Sequence, residues 1–304
     1  SNIAGSGKDN SGVRSYRTAI DIMTDPFAVN TNILAVPGIR ESFVTDHALT
    51  KNRDYGMSLY LMDIPEYDSD ANRLYDDSSN SPSVGETSAQ FQTRAIDNNS
   101  AATYFPSIVL ADTEGANVTV PPSVAALAAL GFNDRVSFPW FAPAGFNRGS
   151  LDFVEAVKTR LTTDDRNTLY DTRINPIASF PRQGFVIFGQ KTLQVARSAL
   201  DRVNVRRLLL EVRRAVSQVA NTFVFEQNTP ALRAKFVAQV TPLLAVIQSQ
   251  SGIDQFRVVM DDTNNAQEDI ESNRLNGKIV IVPTRTVEFI SMDFVITNAG
   301  VSFE

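Results

Sequence analysis

Residues 33–62 read ILAVPGIRESFVTDHALTKNRDYGMSLYLM. Two short apolar runs, at residues 33–36 and 58–62, flank a polar stretch over residues 45–54 whose composition is compatible with a helix. The first run ends at Pro37-Gly38, a turn signal. Fully apolar strands that alternate with helices are typical of a parallel sheet covered by helices. This stretch therefore predicts an α/β fold.

Segments on both sides continue the alternation. We expect further helices over residues 16–23, 123–130, 203–220 and 230–250, and further strands over residues 104–111, 184–188, 255–260, 278–282 and 287–296. The last two strands are separated by only four residues, too few for a crossover helix, so we expect them to pair antiparallel. The chain is predicted to form two mixed α/β domains with helices packed on sheets, residues 1–150 and 151–304.

The composition changes between residues 66 and 100. This segment is rich in Asp, Ser and Asn and contains Pro82 and Gly85. Because such a composition buries little apolar area, we predict a long polar surface loop.

Overall composition excludes several classes of protein. The chain has 304 residues, of which 28 are basic and 34 are acidic, giving a net charge of −6. Generic attraction to nucleic acid or to an anionic membrane is therefore not expected. The most apolar runs are interrupted by Gly131 or by Thr241-Pro242, so we expect no membrane insertion. With no cysteine, the chain has no disulfide, thiolate nucleophile or sulfur-ligated zinc.

Motifs for catalysis, nucleotide binding and metal binding fail when they are checked residue by residue. Residues 5–8 (GSGK) lack the Ser or Thr that follows the lysine of a phosphate-binding loop, and no strand precedes them. In the acidic run at residues 261–271, Ala266 and Ser272 stand where a calcium loop requires glycine and glutamate. A strand end, a turn and a short helix account for this run. We expect no catalytic residue, no cofactor and no metal.

The single histidine, His47, leaves one enzymatic alternative open. A Ser-His-Asp hydrolase would need a serine on a Gly-x-Ser-x-Gly elbow, and the sequence contains no such motif. An α/β hydrolase-like enzyme would then use His47 with a carboxylate at a strand end, such as Asp63 or Asp112. This alternative predicts a pocket that joins these residues.

The densest basic feature belongs to the helix expected over residues 203–220. Six arginines lie in or just before it, and those within it lie off its apolar stripe: Arg197, Arg202, Arg206, Arg207, Arg213 and Arg214. Such a ridge is ordinarily a solvated face. Because guanidinium groups pair bidentately with carboxylates, the ridge is also suited to an acidic protein surface.

Ten short motifs occur in a fixed order from about residue 16 to the end. In the first half they lie at residues 32–38 (NILAVPG), 60–65 (YLMDIP), 102–106 (ATYFP), 120–123 (VPPS) and 138–149 (FPWFAPAGFNRG); in the second half they lie at 174–177 (INPI), 189–193 (GQKTL), 203–208 (VNVRRL), 223–228 (FVFEQN) and 287–290 (VEFI). The ordered series resembles the contractile tail sheath proteins of bacteriophages. The chain departs from that family at Ala231-Leu232, where the family often has tryptophan, and in the length of residues 66–100.

The resemblance implies a structural subunit without a catalytic centre. Such subunits stack as hexameric rings around a tail tube and contract to drive the tube through the host envelope. The implied partners are other copies, linked by terminal arms that add strands to a neighbour's sheet, together with the tail tube protein and the baseplate and tail terminator proteins. The implied location is the virion tail, assembled in the host cytoplasm.

Three further expectations follow from the resemblance. The first domain would be the outer one and the second the inner one. The tube-facing surface would be formed by Arg206, Arg207, Arg213 and Arg214, or by the helix from Pro230. The chain is expected to lack one or both arms and to be monomeric in isolation. A phage surface decoration or adhesin protein is a second alternative, suggested by the polar segment at residues 66–100, and it predicts ligand binding without self-assembly.

Overall fold

The computed structural model describes residues 10–75 and 78–288. Its principal helices and strands, in chain order, are α1 (Ser11–Met23), β1 (Ile33–Ala35), α2 (Ser42–Tyr55), β2 (Leu59–Met62), β3 (Glu66–Tyr67), β4 (Arg73–Leu74), α3 (Val84–Gln92), β5 (Ala101–Phe105), β6 (Ile108–Ala111), β7 (Asn117–Val120), α4 (Pro122–Val136), β8 (Ala156–Val157), α5 (Thr163–Asp171), β9 (Ile174–Phe180), β10 (Gly184–Ile187), α6 (Val203–Asn221), α7 (Pro230–Ser249), β11 (Ile253–Val259), α8 (Gln267–Glu271) and β12 (Lys278–Pro283).

A five-stranded mixed sheet forms the centre of the fold. Its strand order is β1-β2-β5-β9-β10. The first four strands are parallel to one another, and β10 pairs antiparallel with β9. Each parallel crossover contains at least one helix, because parallel neighbours need a long connection. The predicted α/β fold is confirmed.

Successive residues of β2 point to opposite faces of this sheet and thereby separate two hydrophobic cores. Tyr60 and Met62 belong to one core, which also contains buried residues of α1, α2, α3 and α5. Leu59 and Leu61 belong to the other core, which contains buried residues of α4 and α6. The sheet is therefore the middle layer between two layers of helices.

A third core lies beyond α6. It contains Leu208 and Val212 of α6, the stripe Phe236, Val240, Leu244 and Ile247 of α7, and the inward side chains of the ribbon formed by β11 and β12. Helix α6 also contributes Val203 and Leu210 to the core beneath the sheet. One helix thus packs in two cores, with different side chains in each.

Helix α7 is long and apolar enough, by length and composition alone, to cross a membrane. In the fold, its apolar stripe packs against α6 and the ribbon, and Pro242 lies within the helix. The packed stripe is only part of the apolar surface of α7, because Leu243 and Val246 on the other side of the helix are 36% and 53% exposed.

Two predictions about elements are corrected. Residues 66–100 form the hairpin β3–β4 and helix α3, in which Val84 and Phe91 are buried one heptad apart and Ser83 caps the first turn. The strand predicted over residues 104–111 is two strands, β5 and β6, separated at Pro106. Strand β12 pairs with β11. The strand predicted over residues 287–296, and with it the predicted antiparallel pairing to residues 278–282, lies almost entirely outside the described residues.

The boundary predicted near Ser150 falls inside the central sheet. Strands β9 and β10 follow that position in the chain, and β9 pairs with β5. Helix α6 instead lies between the core beneath the central sheet and the third core, so we place the division between the two structural units at this helix.

Candidate interaction surfaces

The arginine ridge of α6 is largely engaged within the chain. Arg207 is 4% exposed and forms an ion pair with Asp134 of α4, with 2.5 Å between Nη2 and Oδ2. Its position one turn from Leu210 points it into the interface with α4. Arg207 therefore belongs to an ion pair inside the chain and does not contribute to a solvent-exposed surface.

Arg214 lies one heptad later on the same side of α6. Its guanidinium donates to the carbonyl oxygens of Thr31 and Met57 at 3.3 and 3.1 Å, and it pairs with Glu211 at 2.7 Å. Thr31 and Met57 directly precede the segments that enter β1 and β2. Arg214 therefore connects α6 to the amino-terminal ends of strands β1 and β2.

The other two arginines lie closer to solvent. Arg206 is half-buried, and burial lowers its pKa, with the nearby charge of Arg213 adding to the effect. Arg213 is exposed. Of the four predicted interface residues, the structure leaves Arg213, with Arg206 beside it, in a position to meet a partner.

The ribbon of β11 and β12 offers a different kind of surface. Within residues 10–75 and 78–288, each of these strands pairs only with the other, so their outer edges have no strand neighbour. One face, including Phe256 and Ile281, packs in the third core, whereas Val280 and Val282 are each 45% exposed. Edges of this kind are templates for strand addition.

The segment after β12 is held against the rest of the molecule. Glu288 accepts hydrogen bonds from Arg202 Nε at 2.7 Å and Arg202 Nη2 at 2.9 Å, a bidentate pair. Gln190 Nε2 donates to Thr286 Oγ1 at 2.8 Å. The pair fixes the direction in which the chain leaves the ribbon.

A cavity of about 980 Å³ lies beside this segment. Its cationic lining residues are Arg173, Lys191, Arg197, Arg202 and Arg285, and its acidic ones are Asp171, Asp201 and Glu288. Burial lowers the pKa of Lys191 to about 8, and the charge of Arg202 acts in the same direction. Lys191 Nζ donates to the carbonyl oxygen of Tyr170 at 2.7 Å.

The residues of the hydrolase alternative are not brought together. His47 Nε2 lies 2.8 Å from Asp21 Oδ1, between α2 and α1. Asp112 accepts backbone hydrogen bonds in the turn between β6 and β7. Asp63 accepts from the amides of Gly38 and Ser123, so each carboxylate of the alternative is bound elsewhere.

Two buried carboxylates lie at the carboxyl edge of the parallel strands. Asp63 caps the start of α4, where Pro121 offers no side-chain cap, and Glu66 accepts from Ser107 N at 2.7 Å and from Ser107 Oγ at 2.9 Å. Burial raises the pKa of both groups, although the charge of Arg40 and their hydrogen bonds oppose the shift. These groups tie the loops after β1, β2 and β5 together.

No group of three or more metal-binding side chains occurs in the part of the chain that the structure describes. The acidic run at residues 261–271 forms a turn followed by α8, with Asp269 Oδ2 accepting from Ala266 N at 3.1 Å. The predicted turn and short helix are confirmed.

Sequence reasoning missed the ribbon edges. Residues 253–259 and 278–283 read as strands, but nothing local to them shows how many strands their sheet contains. Residues 279–282 are all apolar, so no alternation in the sequence distinguishes the exposed Val280 and Val282 from their partly buried neighbours.

Sequence comparison relates part of this chain to known families. Residues 196–297 match the model of the phage tail sheath C-terminal domain. The tail sheath protein of Vibrio phage KVP40 is 38% identical over 186 residues, which are 61% of this chain and 27% of that protein. The tail sheath protein of Enterobacteria phage T4 is 35% identical over 173 residues, 56% of this chain and 26% of that protein. The chain thus spans about a quarter of the length of these curated relatives.

Comparison with solved structures extends over nearly the whole chain. The sheath complex of the extracellular contractile injection system PVC in its contracted state matches with a TM-score of 0.74 and 22% identity, over 95% of this chain and 80% of that one. The baseplate structure of the anti-feeding prophage matches with a TM-score of 0.73 and 19% identity, over 97% and 75%. These similarities show a shared fold.

Proposed function

From the similarity to phage tail sheath proteins, we propose that the chain is a structural subunit of a contractile tail sheath. In this proposal, copies stack as hexameric rings around the tail tube and contract to drive the tube through the host envelope. They assemble in the host cytoplasm and reside in the virion tail. The observation that supports this proposal most is the fold, which matches a protein of a contracted sheath complex over 95% of this chain.

The chain is proposed to act without catalysis. The relatives are named as sheath proteins, and the only histidine is bound to Asp21 rather than to Asp63 or Asp112. The segment that suggested an adhesin, residues 66–100, contributes Val84 and Phe91 to a core. Each observation favours a scaffold over the enzymatic and adhesin alternatives.

Strand addition at the ribbon is the proposed link between copies. Among the residues that the structure describes, the outer edges of β11 and β12 have no strand neighbour, so in this proposal their main-chain donors and acceptors pair with an extended arm of a neighbouring copy. Backbone hydrogen bonds of this kind persist while whole domains rotate, as a contracting polymer requires. The Arg202–Glu288 pair sets the direction in which the following segment leaves the ribbon.

Hydrogen–deuterium exchange on assembled and dispersed protein tests this link. Amides of residues 253–259 and 278–283 are expected to exchange at least about tenfold more slowly in the assembly, because edge amides gain partners. Amides of the turn at residues 112–116 serve as an internal control. Unchanged exchange in both ribbon strands of an ordered assembly would contradict strand addition there.

The proposed tube-facing surface is the solvent side of the α6–α7 hairpin. Arg213 is exposed on α6, and on α7 the exposed Lys235 carries a further positive charge. Charge contacts suit a surface that must grip the tube and later release it. Arg213→Glu is expected to impair decoration of tubes, whereas Arg14→Glu, an exposed reversal on α1, is not. Equal decoration of tubes by both variants would show that Arg213 does not contact the tube.

Electron microscopy of the negatively stained complete gene product, with any missing terminal arms restored, alone and co-expressed with the tail tube protein, tests the function as a whole. Regular hollow tubes or decorated tail tubes are the expected result. Dispersed particles under both conditions would contradict the sheath proposal. The baseplate and tail terminator proteins are proposed partners at the two ends of such a tube.

A further inference from the structure

The cavity beside the segment after β12 lies where the two structural units meet. Its lining combines the turn before β9, residues 191–202, the first turn of α6 and residues 283–288. Its volume is about 980 Å³. Small-molecule sites enclose about 300–1,000 Å³ and are frequent between two units of a fold. The proposed sheath function does not use this cavity.

The lining carries more positive than negative charge. Arg202 forms ion pairs with both Asp201 and Glu288, at 3.1 and 2.7 Å. The third acidic lining residue, Asp171, contributes its charge beside Lys191. Three cationic lining residues make no ion pair or side-chain hydrogen bond within the described part of the chain: Arg173, Arg197 and Arg285. The cavity therefore attracts an anion with more than one charge.

The amino-terminal end of α6 opens onto the cavity. Asn204 and Val205, in the first turn of this 19-residue helix, belong to the lining. The N-cap residue Arg202 provides no side-chain cap for the first turn. The first N–H groups of a helix lack acceptors within the helix and favour negative charge, above all phosphate. Helix α6 thus adds backbone donors to the cationic lining.

Three buried polar atoms of the lining have no hydrogen-bond partner among the described residues: Arg173 Nε, Gln194 Oε1 and Asn204 Oδ1. Asn204 is 2% exposed, and its Nδ2 already donates to the carbonyl oxygen of Trp140 at 3.2 Å. Buried polar groups are normally paired. The arginine donor requires an acceptor and the two amide oxygens require donors. A ligand that offers both satisfies the lining better than a simple anion does.

Two apolar side chains complete the lining. Val195 and Val287 are 57% and 78% exposed at the cavity. A planar ring that packed against these valines would remove apolar surface from water. A phosphate group alone would leave both valines in water.

We propose that the cavity binds a nucleoside polyphosphate. Its phosphates accept hydrogen bonds from the unpaired guanidinium groups and from the first turn of α6, because guanidinium groups bind phosphate oxygens in pairs. Hydroxyl and amino groups of its nucleoside donate to Asn204 Oδ1 and Gln194 Oε1, and the base packs against Val195 and Val287. The proposal is binding alone and contains no chemical step. Because the lining belongs to both units, the bound ligand stabilises their contact.

Equilibrium dialysis of the complete gene product against ATP, without added magnesium, tests the proposal. Tripolyphosphate and adenosine, each dialysed separately, represent the two halves of the ligand. ATP is expected to bind with a dissociation constant below about 1 mM and at least about tenfold more tightly than either half. Absent ATP binding would overturn the proposal. Equal affinity for tripolyphosphate would overturn the assignment of a nucleoside.

Two arginine variants locate the binding. Arg197 and Arg285 are exposed, so Arg197→Gln and Arg285→Gln preserve the fold. Each is expected to weaken ATP binding at least about fivefold, because a charge-assisted hydrogen bond is lost. Arg14→Gln removes an exposed charge from α1, outside the cavity, and should change the affinity by less than about twofold. Equal weakening by all three variants would show nonspecific charge attraction and overturn the site.

Hydrogen–deuterium exchange provides a readout that does not depend on any variant. Amides of residues 203–205 are expected to exchange at least about threefold more slowly with saturating ATP, whereas those of the turn at residues 112–116 should not change. Unchanged exchange at residues 203–205 would contradict a phosphate at this helix end. Ordered tubes of a protein that binds no ATP would overturn this inference and leave the sheath function standing.

Discussion

Arg207 of α6 and Asp134 of α4 form an ion pair of 2.5 Å in which the arginine is 4% and the aspartate 29% exposed. The pair joins the helix that borders two cores to the helix that covers one face of the central sheet. The sequence places Arg207 in a basic cluster, but in the structure this side chain is buried and links two helices.

Replacing Arg207 by methionine should lower the free energy of unfolding by about 2 kcal/mol, because Asp134 loses its partner while remaining largely buried. Arg213→Met on the exposed side of the same helix is the control and should change it by less than about 0.5 kcal/mol. Urea denaturation of both variants measures the difference. Similar losses for the two variants would show that the buried pair has no special role.

Glu66→Gln should change the pH dependence of stability. Burial raises the pKa of Glu66 in the folded protein, so the folded state binds more protons than the unfolded state just above the ordinary pKa of glutamate. The wild type therefore loses stability relative to Glu66→Gln as the pH rises through that range, by about 1.4 kcal/mol for each unit of pKa difference. Chemical denaturation of both proteins at several pH values measures the trend. A difference that changed in the wild type's favour with rising pH would contradict it.

Lys191 should titrate with a midpoint of about 8, because burial and then the charge of Arg202 disfavour its ammonium form. Nuclear magnetic resonance of the ¹³C-methylated lysines measures this midpoint, and the missing signal in Lys191→Arg assigns it. With a folded pKa below the unfolded one, the stability cost of Lys191 decreases as the pH rises above about 8. A midpoint near the ordinary value of lysine would contradict the burial of this amine.

Trp140 should report on the third core. Its Nε1 donates to the carbonyl oxygen of Gln250 at 3.1 Å, and its ring stacks on Phe138 at 5.0 Å. Trp140→Phe should lower the free energy of unfolding by about 1 kcal/mol for the lost hydrogen bond. Phe225→Leu, fully exposed, should leave it within about 0.5 kcal/mol. Circular dichroism during urea denaturation compares them, and equal midpoints for the wild type and Trp140→Phe would rule out a stabilising bond.

The strands and helices that residues 33–62 predict exist within one to three residues of their expected bounds. Their signals are local, because a buried strand between two turn signals is apolar throughout and α6 carries a stripe at helical spacing. Helix α3 was missed because its two core residues, Val84 and Phe91, stand among polar neighbours. A helix that buries one narrow side needs few apolar residues, so average composition does not reveal it.

The candidate interaction surfaces were also only partly predictable from the sequence. The arginines of α6 are visible as a basic cluster in the sequence, but Arg207 and Arg214 are taken up by Asp134 and by the carbonyl oxygens of Thr31 and Met57. These partners are 73 to 183 residues away in the chain. No local pattern indicates which member of a basic cluster meets a partner at that separation.

The sequence by itself determined the α/β class, the principal core helices and the resemblance to tail sheath proteins, because hydrophobic periodicity, turn residues and ordered motifs are properties of neighbours along the chain. Only the tertiary structure decided that one sheet continues past Ser150, that α6 packs in two cores and that, within the described part of the chain, β11 and β12 pair only with each other. The physical reason is that strand order, burial and charge pairing depend on contacts between residues far apart in the chain, which chain folding brings together.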